Sequence, residues 1–268
     1  MRVLSKIILV LFQIKLKYLF SYSIVRVEKG AKFDIGSNVK IKNSFILVKA
    51  NSLFKMENNA SCRNSNVIVD SNSVFMQGEF AIINHVDIKL TGQFDIGRAS
   101  IIQKGNAIKA LQIIISNSSF TIGKCNMIRC ERILVRFGGQ IVIGDYTNIN
   151  EGSELRADEK IQIGSYNQIS FNCMIWDTNT HNIYPYQKRR SLTEEKFPNF
   201  GYEYEKPKTR PITIGDDCWI GREAALLKGA VLGDKCIVGF RTVVLGNTVP
   251  DNHTIVSDTT SRLLLNKI

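Results

Sequence analysis

The sequence predicts an all-β chain wound as a parallel β-helix, a solenoid of three-sided coils with one long loop thrown out of the winding. Three observations predict it. First, an aliphatic residue recurs at every sixth position from Ile214 through Ile220, Leu226, Leu232 and Val238 to Val244, with Gly after four of the six. A helix repeats its apolar positions every three to four residues and a half-buried strand every two, so a period of six fits neither alone. Second, a small residue stands four positions after each of the first five: Cys218, Ala224, Ala230, Cys236 and Thr242. One hexad then makes one short flat side, the aliphatic filling the axis, the small residue beside it and Gly at a corner with unusual backbone angles. Third, an aliphatic-x-aliphatic step recurs upstream, as in Phe33–Ile35, Phe94–Ile96, Phe120–Ile122, Ile141–Ile143, Ile161–Ile163 and Ile212–Ile214, with weaker copies at Phe54–Met56 and Val74–Met76.

Taken in order, the chain divides as follows. Residues 1–30 form an N-terminal amphipathic segment in which Leu4, Ile7, Ile8, Leu11 and Phe12 share one helical face. Lys6, Lys15 and Lys17 flank its short apolar run, leaving it well under the roughly twenty residues needed to span a bilayer. A short helix packed on the prism end, packed on a neighbouring subunit or resting on a membrane surface is expected. The solenoid occupies residues 31–250. Its second aliphatics fall at 35, 56, 76, 96, 122, 143, 163, 214 and 232, which makes about nine coils and, at the strand spacing of about 4.8 Å, a prism on the order of 45 Å long. Repeats across nearly the whole length mean one domain. Residues 176–210 break the beat with Pro185, Pro198, Pro207, many aromatics and the basic run Lys188–Arg190. A loop of that length in a compact domain is more often functional than decorative. Residues 251–268 form a C-terminal cap.

Composition bounds the chemistry. Thirty-five Lys and Arg against 24 Asp and Glu give a net charge of +11, which suits a polyanionic partner or serves solubility alone. The basic residues are scattered and no nucleic-acid motif occurs, so no nucleic-acid partner is expected. Of the six cysteines, Cys173, Cys218 and Cys236 take the small inward slot and read as packing residues. The three histidines, His85, His181 and His253, stand far apart in the coil order, and no metal site is expected from them.

The segment from Pro211 to Gly239 resembles the hexapeptide-repeat acyltransferases, in particular the sugar and polysaccharide O-acetyltransferase branch similar to maltose and galactoside acetyltransferases. The resemblance implies a left-handed winding, acetyl-CoA as co-substrate, a sugar or glycan acceptor, a homotrimer with sites between subunits, and a cytoplasmic enzyme, in contact with the inner membrane if the N-terminal segment docks there. It implies His181 as the general base, with Asn182 where the family often has Pro, and Trp219 beside the active site with its backbone N–H as an oxyanion donor. Imidazole suits the proton transfer because its charge changes near neutrality. Asn150, Asp177 and Glu205 are expected at the acceptor, Asn150 as the acceptor-contacting asparagine and Asp177 or Glu205 to orient the imidazole or simply to cap the turn. Trp219, Ala224, Lys228, Gly239 and Arg241 are expected along the coenzyme groove, the two cations toward the phosphates. The segment Ser257 to Thr260 departs from the family's closing Gly-Asn-Pro-Ala. Acetyl transfer to a hydroxyl of a bacterial surface glycan is the expected function. N-acetylation of a nucleotide-linked amino sugar and a non-catalytic scaffold or glycan-binding solenoid stand as the alternatives.

Overall fold

The computed structural model describes residues 19–105, 109–199 and 203–258. The apolar N-terminal run and the Leu263–Leu265 stretch lie outside the described residues.

Among the described residues, twenty-nine short strands and one helix wind into a three-sided parallel β-helix. The first face is an eleven-stranded sheet from Leu19–Ser21 to Thr254–Ile255. The second runs from Ile24–Val27 to Val243–Leu245 and the third from Lys32–Ile35 to Thr248–Val249. Every ladder is parallel, as between Ile161–Ile163 and Ile212–Ile214. The strands Val86–Ile96 and Leu111–Ile122 bend over the edge between the second and third faces and so pair with neighbours on both. There are about eleven turns rather than nine, because winding starts at Leu19, inside the segment set apart as N-terminal, and continues to Ile255 in the expected cap.

Most strands alternate inward and outward positions, the burial pattern of a sheet with one face on the core. The aliphatics Ile214, Ile220, Leu226, Leu232, Val238 and Val244 are all at most 1% exposed, and Cys173, Cys218 and Cys236 are buried beside them. In the upper coils the axis is filled by a ladder of rings on the third face: Phe33, Phe54, Phe75, Phe94 and Phe120, with successive centroids 5.2, 4.7, 5.8 and 4.9 Å apart. Burying each such ring contributes about 1.5–3 kcal/mol. One weak repeat is shifted by a residue: Phe75 and Gln77, not Val74 and Met76, point inward. The sequence hides this because an amide in an axis position breaks the apolar rule; Gln77 Nε2 donates to the carbonyls of Ser61 and Ala81 at 3.0 and 2.8 Å.

The edges are built from left-handed residues. Along the edge between the third and first faces run Asn38, Asn59, Phe80, Ala99, Cys125, Tyr146, Tyr166, Asp217, Lys235 and Asn252, each with φ between 54° and 61°. Each N–H from Asn59 onward donates to a carbonyl of the preceding coils, as Tyr166 does to Asp145 at 2.9 Å. Asparagine and aspartate adopt this conformation readily, whereas bulky side chains do not. Tyr146 and Tyr166 stack at 5.1 Å with 8° between planes and remain 42% and 56% exposed. A stacked pair is worth about 0.5–1.5 kcal/mol, against about 1–3 kcal/mol of strain for each residue. Stacking alone does not offset the backbone.

Among the described residues no helix is long and apolar enough to cross a membrane, and no group of three His, Cys, Asp or Glu side chains gathers as for a metal ion.

Candidate active site

The excursion leaves the second face after Trp176 and re-enters the third at Ile212, so it stands on the edge between those two faces. Its base is closed by the antiparallel bridge Thr178–Thr209, by Asn179 N–H to Lys208 O at 3.0 Å, and by Arg210 N–H to Asp177 O at 2.9 Å. Beneath the bridge lies Asp177, fully buried. Its carboxylate accepts the N–H groups of Asp158, Glu159 and Lys160 at 2.8, 2.8 and 2.6 Å, tying the start of the loop to the coil above. Burial pushes its carboxyl up to about 6, against the pull of these three donors. Buried Asp158 completes the anchor, accepting both Arg136 Nε and Nη2 at 2.9 Å and the Thr178 hydroxyl at 2.7 Å.

This platform holds His181. The residue before it, Thr180, is left-handed at φ 62°, its N–H donating to Thr178 Oγ1 at 3.0 Å, and His181 N–H donates to Asn179 O at 2.7 Å. The imidazole side chain is 61% exposed, and Nδ1 lies 2.8 Å from Oε1 of Glu203, whose own side chain is only 10% exposed. A carboxylate only accepts, so Nδ1 carries the hydrogen, and in the neutral imidazole Nε2 presents its lone pair to solvent. Asn182 Nδ2 donates to Glu203 Oε2 at 3.1 Å and to Glu205 O at 3.0 Å, fixing the carboxylate from its other side. The arrangement is a base with an oriented tautomer, as acid–base catalysis requires.

Neither residue expected to orient the imidazole does so. Asp177 is engaged with three backbone donors below the loop, and Glu205 accepts from Tyr184 Oη at 2.8 Å and Lys188 Nζ at 3.3 Å, an ion pair that braces the helix Tyr186–Lys196. Those partners hold the Glu205 carboxyl below its ordinary range, the tyrosine hydroxyl contributing most. Glu203 was missed because it sits in an aperiodic stretch, 22 residues from the histidine. Its only sequence signal is an acid-and-aromatic cluster around Glu203–Glu205.

Trp219 points outward from the first face, 59% exposed, between Gln168 and Ile237. Its backbone N–H is no oxyanion donor: it donates to Cys236 O at 2.9 Å in the parallel ladder. The first face lies opposite the edge that carries His181, so a single chain does not bring the two together. Asn150 follows the first face at its edge with the second, and its amide is taken by Arg129 Nη2 and the Ile169 carbonyl; it too is apart from His181. Ala224 is fully buried in the axis and lines no groove. Gly239 and exposed Arg241 lie on the edge between the first and second faces, where Arg241 Nε binds Glu223 at 2.6 Å and lowers the glutamate's pKa. Lys228 is separate from them, at the foot of the excursion, its Nζ on Asn179 Oδ1. There it stands with exposed Arg210, whose guanidinium lies against left-handed Gly229 and Gly246 so closely that a Cβ on Gly229 would come within 2.8 Å of it. Arg210 was not singled out in sequence because it falls in the loop.

The hexad repeat and the three stacked parallel faces make the chain a three-sided β-solenoid. Residues 211–246 match the family described as bacterial transferase hexapeptide (six repeats). Two curated relatives match at 26% identity: "Putative lipopolysaccharide biosynthesis O-acetyl transferase WbbJ" of Escherichia coli K12, over 44% of this chain and 56% of that protein, and a "Probable acetyltransferase" of Mycobacterium tuberculosis, over 48% and 37%. The chain thus spans about half the length, or less, of the curated relatives it matches. Among solved structures, the polysialic acid O-acetyltransferase OatWY aligns over 93% of this chain and 94% of its own at 15% identity and a TM-score of 0.42. A Vibrio cholerae hexapeptide-repeat acetyltransferase complexed with acetyl coenzyme A aligns over 53% and 67% at 22% and 0.39.

Proposed function

We propose that this protein transfers acetyl from acetyl-CoA to a hydroxyl of a sugar in a bacterial surface glycan. The observation that carries the reading is the His181–Glu203 pair, an exposed imidazole whose Nδ1–H is held by a nearly buried carboxylate at 2.8 Å. Nε2 removes the proton of the acceptor hydroxyl as its oxygen attacks the thioester carbonyl carbon. The C–S bond then breaks, and the imidazolium returns the proton to the departing CoA sulfur, so no covalent enzyme intermediate forms. Glu203 stabilises the imidazolium while it exists. Lys228 and Arg210, at the foot of the same excursion, are the cations available to the phosphates of the donor. The curated relatives' descriptions as acetyltransferases, one of them in lipopolysaccharide biosynthesis, support the same class. An acyl-CoA donor places the reaction in the cytoplasm.

In this reading the working unit is an oligomer, a homotrimer as the family resemblance implies. His181 and Trp219 lie on opposite sides of one prism, and they share a site only if a neighbouring copy brings its first face against the excursion. The outward side chains beside that edge are apolar: Met174, Val243 and Leu245 are 39%, 53% and 53% exposed, a patch suited to covering by another copy.

The test is acceptor-dependent release of free CoA from acetyl-CoA across a panel of sugars and bacterial glycans. Wild type is expected to respond to one acceptor class and His181→Ala to lose about 10²- to 10⁴-fold. Mixed oligomers of His181→Ala and Trp219→Ala subunits are expected to regain activity, since each mixed trimer holds one interface at which both groups are intact. Equal wild-type and His181→Ala rates would remove the base; an inactive mixture would remove the shared site.

A further inference from the structure

Of the ten left-handed residues on the edge between the third and first faces, six are neither Asn nor Asp, and two of those six, on successive coils, are tyrosines. Tyr146 and Tyr166 hold left-handed φ angles of 54° and 59° on successive coils, where Asn38, Asn59 and Asn252 occupy the same position at little strain. Neither ring is buried, and their mutual stack falls short of the strain. Two residues further along the chain from each tyrosine, on the outward side of the first face, stand Asn148 and Gln168, paired in register with an amide contact of 3.4 Å. On the next coil the same row continues as Trp219, and the edge position passes to exposed Asp217 in place of a third ring. Two exposed phenol rings, two amides and an indole therefore share one shelf across three consecutive coils.

That set of groups is the chemistry of sugar recognition. The face of an aromatic ring is negative and its edge positive, so a ring face attracts the C–H groups on the apolar side of a pyranose, while amides exchange hydrogen bonds with its hydroxyls in both directions. Lys124 Nζ lies 5.9 Å from the Tyr146 ring centroid and adds a cation at the far end of the shelf. We infer that Tyr146, Tyr166, Asn148 and Gln168 form a glycan-binding track leading to Trp219, which holds sugar rings of the acceptor chain next to the one that reacts. The inference rests on the proposed acetyl transfer and deepens it: the acceptor is an oligosaccharide or polymer, bound at several residues.

The test uses the double variant Tyr146→Asn/Tyr166→Asn, which installs the residue this edge carries elsewhere and so preserves the corner. The probes are capsule and lipopolysaccharide O-chain fragments of one, four and eight sugars, with binding read by affinity electrophoresis and saturation-transfer NMR in the absence of acetyl-CoA. Wild type is expected to bind an octasaccharide at least tenfold more tightly than its monosaccharide, with the strongest transfer from the tyrosine rings, and the double variant to lose that gain. In turnover the variant is expected to raise KM for the octasaccharide about tenfold and leave kcat on the monosaccharide unchanged. Binding that does not grow with chain length, or grows equally in both proteins, overturns the track. A change in oligomer mass in the double variant overturns it as well, because the pair is then a contact between copies. Since binding is read without the donor, a track that binds in a protein that transfers nothing refutes the acetyl-transfer reading and not the track.

Discussion

Glu203 stands 22 residues after His181 and yet holds its Nδ1 at 2.8 Å, while Asn182, the neighbour of the histidine, holds the other oxygen of the same carboxylate at 3.1 Å. The two ends of the excursion are thereby closed on each other above the Thr178–Thr209 bridge. The imidazole is exposed, and among the described residues this contact selects its tautomer.

Glu203→Gln keeps a hydrogen-bond acceptor but removes the charge that stabilises the imidazolium. kcat is expected to fall by about tenfold or more with KM for acetyl-CoA unchanged, as for an interaction made only in the transition state. Glu203→Ala is expected to fall further, toward but not beyond His181→Ala. Steady-state kinetics of the three variants check the order; a Glu203→Ala enzyme with wild-type kcat would reduce the contact to loop bracing.

Asp177 gives the fold a pH dependence whose sign follows from its burial. Its ordinary value is 3.8 and the folded protein raises it to about 6, so the folded chain binds the proton more tightly than the unfolded one. Its contribution to stability is then largest below the unfolded value and is lost as pH rises through the folded one. Denaturant unfolding of wild type and Asp177→Asn from pH 4 to 7 is expected to give a difference that moves against the wild type over that interval and is flat above it. Parallel curves would show that the carboxyl titrates at its ordinary value.

Much of this molecule was legible in the sequence, for a definite reason. In a solenoid each coil contacts only its neighbours, so the axis residues are periodic, and Ile214 to Val244 announce their own burial. Legibility fails where periodicity fails. Gln77 sits in an axis slot without being apolar, and the tyrosines at 146 and 166 occupy a corner whose backbone favours asparagine. His181 was found through a resemblance carried by neighbouring residues, but its partner lies across a loop whose closure is tertiary, and no spacing marks Glu203. The expected coenzyme residues do not share one edge of a single chain: Ala224 fills the axis, and Lys228 and Arg241 stand on different edges because they are 13 residues apart in a winding of about 18 per coil.

The buried thiols make a chemical prediction. Cys62 and Cys218 are pushed up to about 12 and about 11 by burial, and Cys130 is pushed up as well. A thiol reacts as its thiolate, so these are inert in the folded protein. Cys125 alone of the six is not buried. Iodoacetamide at pH 8 is expected to modify Cys125 first in the native state and all six after denaturation. Native labelling of Cys218 ahead of Cys125 would mean that the C-terminal coils open readily.

Gly92 and Gly138 separate two reasons for glycine on the edge between the second and third faces. Gly92 has φ 124°, and a Cβ there would lie 2.1 Å from the carbonyl oxygen of Ser118 on the next coil, backbone that cannot yield without breaking the ladder. Gly138 has φ 76° and nothing within 4 Å of its Cβ position. Alanine at Gly138 therefore meets only the cost of a left-handed residue, about 1–2 kcal/mol, which this fold already carries at Phe137. Alanine at Gly92 adds a clash with fixed backbone and is expected to cost about 3 kcal/mol or more. Denaturant midpoints of the two variants should differ by at least the clash. If both fall alike, coil-to-coil spacing at Ser118 is soft, and conformation alone set the residue at both corners.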